Sequence, residues 1–200
     1  LYHDCDLLVA EALGAGLFAG LDGPSLAALA SCFTFEARRP DGSSSMPTAK
    51  LARRVAELDL LAVELRADER VAGLPRTREI DAGFADLAYQ WAKGADLRHL
   101  LRPPRPPRPA GSRRHGSRDA GRSPVGDPEP VITGGDFVRN VKQLVDLLRQ
   151  IGNVDTGRAG ATARQVAESL VRGVVAASSG VSEQAEPVGA AQLADDPPLG

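Results

Sequence analysis

Between Phe137 and Ile151 apolar residues recur at steps of three and four: Phe137, Val141, Leu144, Leu148 and Ile151, flanked by Val138, Val145 and Leu147. That spacing predicts an amphipathic helix over residues 134–152, GGDFVRNVKQLVDLLRQIG, with one apolar stripe the width of a core-facing helix side. Asp136, after two glycines, is placed to cap the free N–H groups of the first turn, and Gly152 to end the last. The opposite face carries Arg139, Lys142, Gln143, Asp146 and Arg149. A core does not need that face, so it is where a function has room to sit.

The same pattern, followed along the chain, predicts an all-α fold of about six to seven helices. Residues 3–13 form the first, with Leu7, Leu8 and Leu13 on the apolar side and Asp4 and Asp6 near its positive end. Gly14, Gly16 and Gly20 punctuate the connection that follows. Asp22-Gly23-Pro24-Ser25 is a helix start, since proline is tolerated where the N–H has no intrahelical partner. The second helix is expected to run through Leu26, Leu29 and Phe33 as far as Arg39. Residues 40–45 are a loop.

Residues 49–70 hold Leu51, Val55, Leu58, Leu61, Ala62 and Leu65 at helical spacing, and Lys50, Arg53, Arg54, Glu57, Asp59, Glu64 and Arg66 read as a solvated face. Leu74-Pro75 is a break. A helix over 81–93 carries Phe84, Leu87, Ala88 and Trp91, and a short one follows over 96–101. A last helix over 158–177 offers Ala159, Ala163, Val166, Ala167, Leu170 and Val174 to a core, and Ser178-Ser179-Gly180 is expected to close it. No β-pattern of useful length intervenes.

Charge is segregated along the chain although its formal net value is -2. Arg102, Arg105, Arg108, Arg113, Arg114, Arg118 and Arg122 stand against one acid, Asp119, within a stretch dense in Pro, Gly and Ser. With almost no apolar side chains, residues 102–131 cannot offset the entropy of ordering and are expected to be disordered. The tail over 180–200 carries acids alone (Glu183, Glu186, Asp195 and Asp196) and is expected to be disordered too. The helical domain is thus expected in two parts, 2–101 and 132–179. Because the chain opens at Leu1 inside a helix-like pattern, it is expected to be a piece of a longer protein.

Chemistry is sparse. There is no glycine-rich phosphate loop ending in Lys-Ser/Thr, no HExxH and no GxSxG. His3, His99 and His115 have no partner cluster, and Cys5 and Cys32 are too few and too unpatterned for a disulfide framework or a zinc site. The chain by itself is expected to have no catalytic or metal-binding residues and no bound cofactor. No run of about eighteen apolar residues exists and no signal peptide is visible, so the expectation is a cytoplasmic protein without a membrane segment.

Three stretches taken in order carry a resemblance: CDLLVAEALGAGLFAGLDGPSLAALASCFTFEARR, GFADLAYQWAKGADLRHLL, and GGDFVRNVKQLVDLLRQI with LVRGVVAASS. Together they resemble the C-terminal helical domain, often called the DSHCT domain, of superkiller-type DExH-box RNA helicases, and among these the bacterial HelY-type DEAD/DEAH-box members. The resemblance implies an accessory domain that lines the RNA channel of an ATP-dependent helicase unwinding from the 3′ side in RNA processing or decay. ATP and Mg would be bound by RecA-like motor domains upstream, which pack against the helical domain.

The resemblance also implies that the 134–152 helix matches the family's ratchet-like helix, with Gln143 and Asp146 nearest the RNA bases and Arg139 and Lys142 beside them. Eukaryotic members tend to have Arg and Glu at the first two positions, so Gln143 departs from the pattern. The Arg/Pro stretch departs as well, because relatives bridge that point by a brief loop. It reads as an insert adding phosphate contacts, an inert insert, or a sequence artefact. The alternative to the helicase reading is a non-catalytic helical protein-interaction module, whose mark would be an exposed apolar patch on the assembled bundle.

Overall fold

A computed structural model of the chain describes residues 5–37, 46–101 and 132–182. The Arg/Pro stretch, most of the acidic tail, Asp4, His3 and His115 lie outside the described residues. Within them the fold is all-α, with no strand: α1 (Asp6–Gly14), α2 (Gly23–Thr34), α3 (Ala49–Ala72), α4 (Ala85–Ala92), α5 (Leu97–Leu100), α6 (Gly134–Val154) and α7 (Arg158–Ser182), with a 3-10 turn, Ala82–Phe84, leading into α4.

The centre of the bundle is α2, not α6. Every residue of α2 from Ser25 to Phe33 is buried, and α3, α4, α6 and α7 all pack against it. Its sequence allows this: GPSLAALASCFT is small or apolar all round, as a helix without a solvent face must be. Asp22 caps it, its carboxylate accepting from the Ser25 N–H at 3.0 Å. The helix stops at Thr34 and does not reach Arg39 as the sequence suggests, because side chains from the segment before α4 bind the backbone around its end. Arg78 donates to the Phe33 and Phe35 carbonyls at 2.6 and 2.9 Å, and Asp81 accepts from the Ala37 N–H at 2.7 Å.

Other ends differ from expectation for similar local reasons. In α1, Leu8 and Ala12 are the buried residues and Leu7 is exposed, opposite to its expected place in the core. Helix α3 runs two residues past Arg70 and ends at Gly73, whose φ of 68° is left-handed, with the Leu74 N–H returning to the Glu69 carbonyl at 2.8 Å. Helix α7 passes through Ser178-Ser179-Gly180 and continues to Ser182; a single glycine lowers helix propensity without forbidding the helix.

Buried polar groups are few and mostly partnered. Glu69 is 4% exposed; it accepts from the Thr77 N–H at 2.7 Å and from the Thr77 hydroxyl. Those bonds, side chain first and then backbone, hold its carboxyl below its ordinary 4.5, against the opposing effect of desolvation and with help from Arg66 and Arg76. Cys5 and Cys32 are both buried. Burial first, then the Asp81 carboxylate, pushes the Cys32 thiol up to about 12, so it stays an unreactive thiol.

Candidate nucleic-acid interface

Helix α6 is positioned by an aromatic cluster at its first turns. Phe137 is fully buried and meets Trp91 of α4 edge-on, ring centroids 5.2 Å apart at 80°. It also packs against Phe84 at 5.5 Å, which stacks in turn on Phe35. Val141, Leu144, Val145, Leu147, Leu148 and Ile151 continue the contact and are all buried.

The start of α6 is capped by Thr133, not Asp136. The Thr133 hydroxyl oxygen accepts from the Asp136 N–H at 3.1 Å, and its O–H donates to the Asp136 carboxylate at 2.8 Å. Thr133 thus satisfies one free N–H of the first turn, and its hydroxyl holds the Asp136 carboxylate in place. The far end differs too: α6 does not terminate at Gly152 but runs to Val154. Gly152 is there because α7 crosses closely. A Cβ on it would lie 2.5 Å from Arg164 Cγ and 3.3 Å from the Gly160 carbonyl oxygen, and the Arg164 guanidinium donates to the Gly152 carbonyl. Asp155 then turns the chain, accepting from the Gly157 and Gly160 N–H groups at the start of α7.

With its inner side fixed, α6 presents Arg139, Lys142, Gln143 and Asp146 together on one outer face. Arg139, Lys142 and Asp146 are exposed and Gln143 is half-buried. Asp146 lies 4.0 Å from Arg149, an exposed pair of the kind that adds at most about 1 kcal/mol. Among the described residues neither Arg139 nor Lys142 has a carboxylate partner. The row thus carries two cations against one acid, and that acid is paired with Arg149 beside it. Gln150 falls on the same face, and because the helix continues past Gly152 so does Asn153, prolonging the face to about 20 Å. Sequence reasoning missed Asn153 by ending the helix at a glycine whose role is close packing, and passed over Gln150 inside the predicted helix.

Among the described residues no group of three or more His, Cys, Asp or Glu side chains is placed to hold a metal ion, and His99 sits exposed on α5. Two surface hollows, about 130 Å³ beside Lys50, Arg53, Arg54 and Glu57 and about 260 Å³ beside Asp22, Arg158 and Thr162, are smaller than the roughly 300–1,000 Å³ of small-molecule sites. No helix among the described residues is long and apolar enough to cross a membrane.

Comparison with known proteins gives the chain's likeness as a whole. The DSHCT (NUC185) domain model matches residues 1–178. The chain is 34% identical over 186 residues to "Probable helicase HelY" of Mycobacterium leprae (strain TN), covering 90% of this chain and 18% of that protein. It is 33% identical, with the same coverage, to "Probable helicase HelY" of Mycobacterium tuberculosis (strain CDC 1551 / Oshkosh). The chain therefore spans under a fifth of the length of the curated relatives it matches.

Proposed function

The chain belongs to the DSHCT (NUC185) domain family, and from that premise we propose that it serves as the helical accessory domain of an ATP-dependent RNA helicase, with the outer face of α6 lining the RNA path. Two relatives carry the name helicase over a far longer chain, so ATP and magnesium chemistry is assigned to RecA-like motor domains elsewhere in such a protein. This chain has no phosphate loop of its own. Unwinding from the 3′ side, a role in RNA processing or decay, and a cytoplasmic setting belong to the same proposal.

The observation that carries it is the α6 face: a row of about 20 Å of cationic and amide side chains that the core does not use, on a helix fixed by buried aromatics. Arg139 and Lys142 supply charge for backbone phosphates. Gln143 and Asp146 offer hydrogen bonds to bases as the strand passes. As motor domains open and close, such a row biases slippage in one direction.

The test is made in the full-length helicase carrying Gln143→Ala/Asp146→Ala. Reduced unwinding per ATP hydrolysed, with the fold retained, supports the reading. Unwinding and RNA-stimulated ATPase equal to the parent's overturn it. A second reading, a helical protein-interaction module, is favoured by a different observation: Leu60, Val63, Val71 and Leu74 are large apolar side chains left exposed on and just after α3.

A further inference from the structure

Helix α6 is held at its two ends by different means. Its first turns rest on Trp91 and Phe84 through the Phe137 ring. After Gly152 nothing of α6 is buried, since Asn153 and Val154 are both exposed. A polar joint with α7 holds this last turn.

A helix leaves its last carbonyls without intrahelical partners, and those of α6 begin at Gly152, the Ile151 carbonyl being taken by the Asp155 N–H at 2.9 Å. The Arg164 guanidinium, reaching across from α7, donates to the Gly152 carbonyl. A cation there also opposes the negative end of the helix dipole. The joint is reciprocal: Asp155, just past α6, accepts from the Gly157 and Gly160 N–H groups at the start of α7 at 2.6 and 3.1 Å. Neither Gly152, against the Arg164 stem, nor Gly160, against the Asp155 carbonyl, has room for a Cβ.

Glycine near a helix end commonly stops the helix in a left-handed turn, as Gly73 does after α3 with φ 68°. Gly152 has no positive φ, and α6 runs on through it to Val154. The extension carries Asn153, seven residues past Asp146 and so two turns on at nearly the same angle around the axis. It lengthens the outer row by about 5 Å, close to one helical turn.

We propose that Arg164 is a positioning residue for the outer face of α6: by capping Gly152 it keeps the last turn helical and holds Asn153 in line with Asp146, as one more amide for a passing RNA base. The role of Asn153 rests on the RNA-path reading, whereas the clamp by Arg164 does not.

Hydrogen exchange in the 200-residue chain tests the clamp by itself. Arg164→Ala is expected to speed exchange of the Asn153 and Val154 amides about tenfold, the scale of one hydrogen bond to a charged group, while the Val141 amide next to the buried aromatics keeps its protection. Arg164→Lys, which keeps the charge and a donor, recovers part of the loss. Exchange at Asn153 and Val154 equal in Arg164→Ala and the natural chain overturns the proposal.

The link to the face is tested in the full-length helicase with Arg164→Ala, Asn153→Ala and the two combined. Unwinding per ATP hydrolysed is expected to fall about twofold to fivefold in each single variant, the scale of one hydrogen bond, and no further in the double, because both changes remove the same contact. Losses that multiply in the double, or a loss with Asn153→Ala that Arg164→Ala does not share, overturn the positioning role. No loss in either single variant overturns it as well, and Gln143→Ala/Asp146→Ala measured beside them shows whether the RNA-path reading falls with it.

Discussion

Helices α3 and α6 are nearly equal in length, 24 and 21 residues, and both mix apolar with charged side chains, yet the molecule uses them in opposite ways. In α6 the apolar residues gather on one side, that side is buried, and the outer face is polar. In α3 the apolar residues divide into two stripes on opposite sides; one meets the bundle and the other faces solvent. Embedding one full side makes α6 a rigid support whose polar face keeps a fixed aim. Splitting the apolar residues makes α3 a bridge with a second surface to fill. The lesson is that a helix's total apolar content says little about its task; how the content is distributed around the axis says more.

The largest effect that separates the two helices is core truncation. Phe137→Ala in α6 is expected to cost about 3–5 kcal/mol in denaturant unfolding, since a fully buried ring packed on Trp91 and Phe84 leaves a cavity. Leu60→Ala on the outer side of α3 is expected to change stability by no more than about 0.5 kcal/mol. Equal effects at the two sites would break the comparison. Next in size is the α6 cap: Thr133→Ala removes the side-chain acceptor of the Asp136 N–H and is expected to cost about 1 kcal/mol in the same unfolding measurement.

The Glu69–Thr77 link at the end of α3 gives a pH-dependent contrast. Its folded carboxyl titrates below the ordinary 4.5, so its contribution to stability is fully present above that value and fades as pH falls through the folded pKa. Thr77→Val removes the side-chain bond while keeping the N–H. The stability gap between the variant and the natural chain is expected to be widest near neutral pH and to narrow below about 4.5 in acid titrations followed by circular dichroism. A gap that widens on acidification contradicts the assignment.

The smallest stability effect sharpens the comparison from the other side. Arg139→Ala/Lys142→Ala on the outer face of α6 is expected to shift unfolding by no more than about 0.5 kcal/mol. The same change in the full-length helicase is expected to weaken RNA binding across sequences and to reduce its logarithmic salt slope by up to about 2, one for each phosphate no longer neutralised. Unaltered salt dependence would detach these two residues from the phosphate role.

Much of the fold is written in local patterns. The 3.6-residue period marked the buried sides of α6 and α7, Asp22 before Gly-Pro marked the start of α2, and the spacing of Arg139, Lys142, Gln143 and Asp146 alone put them on one face. What escaped was decided by partners distant in the chain. Nothing near Thr34 announces that Arg78 and Asp81, more than forty residues away, will hold the end of α2. Gly152 looks like a helix stop until α7 is seen pressing Arg164 against it.

The sequence by itself determined that the chain is helical, where most helices start, and that α6 has one apolar side and one polar side, because periodicity and caps are properties of neighbouring residues. Only the tertiary structure decided that α2 is the buried hub, and that a second apolar stripe on α3, from Ala52 to Leu74, stays outside the bundle although the core-facing side was already legible in Leu51, Leu58 and Ala62. A run like α2 that is small or apolar all round has no locally preferred side; the helices packed around it confer its burial.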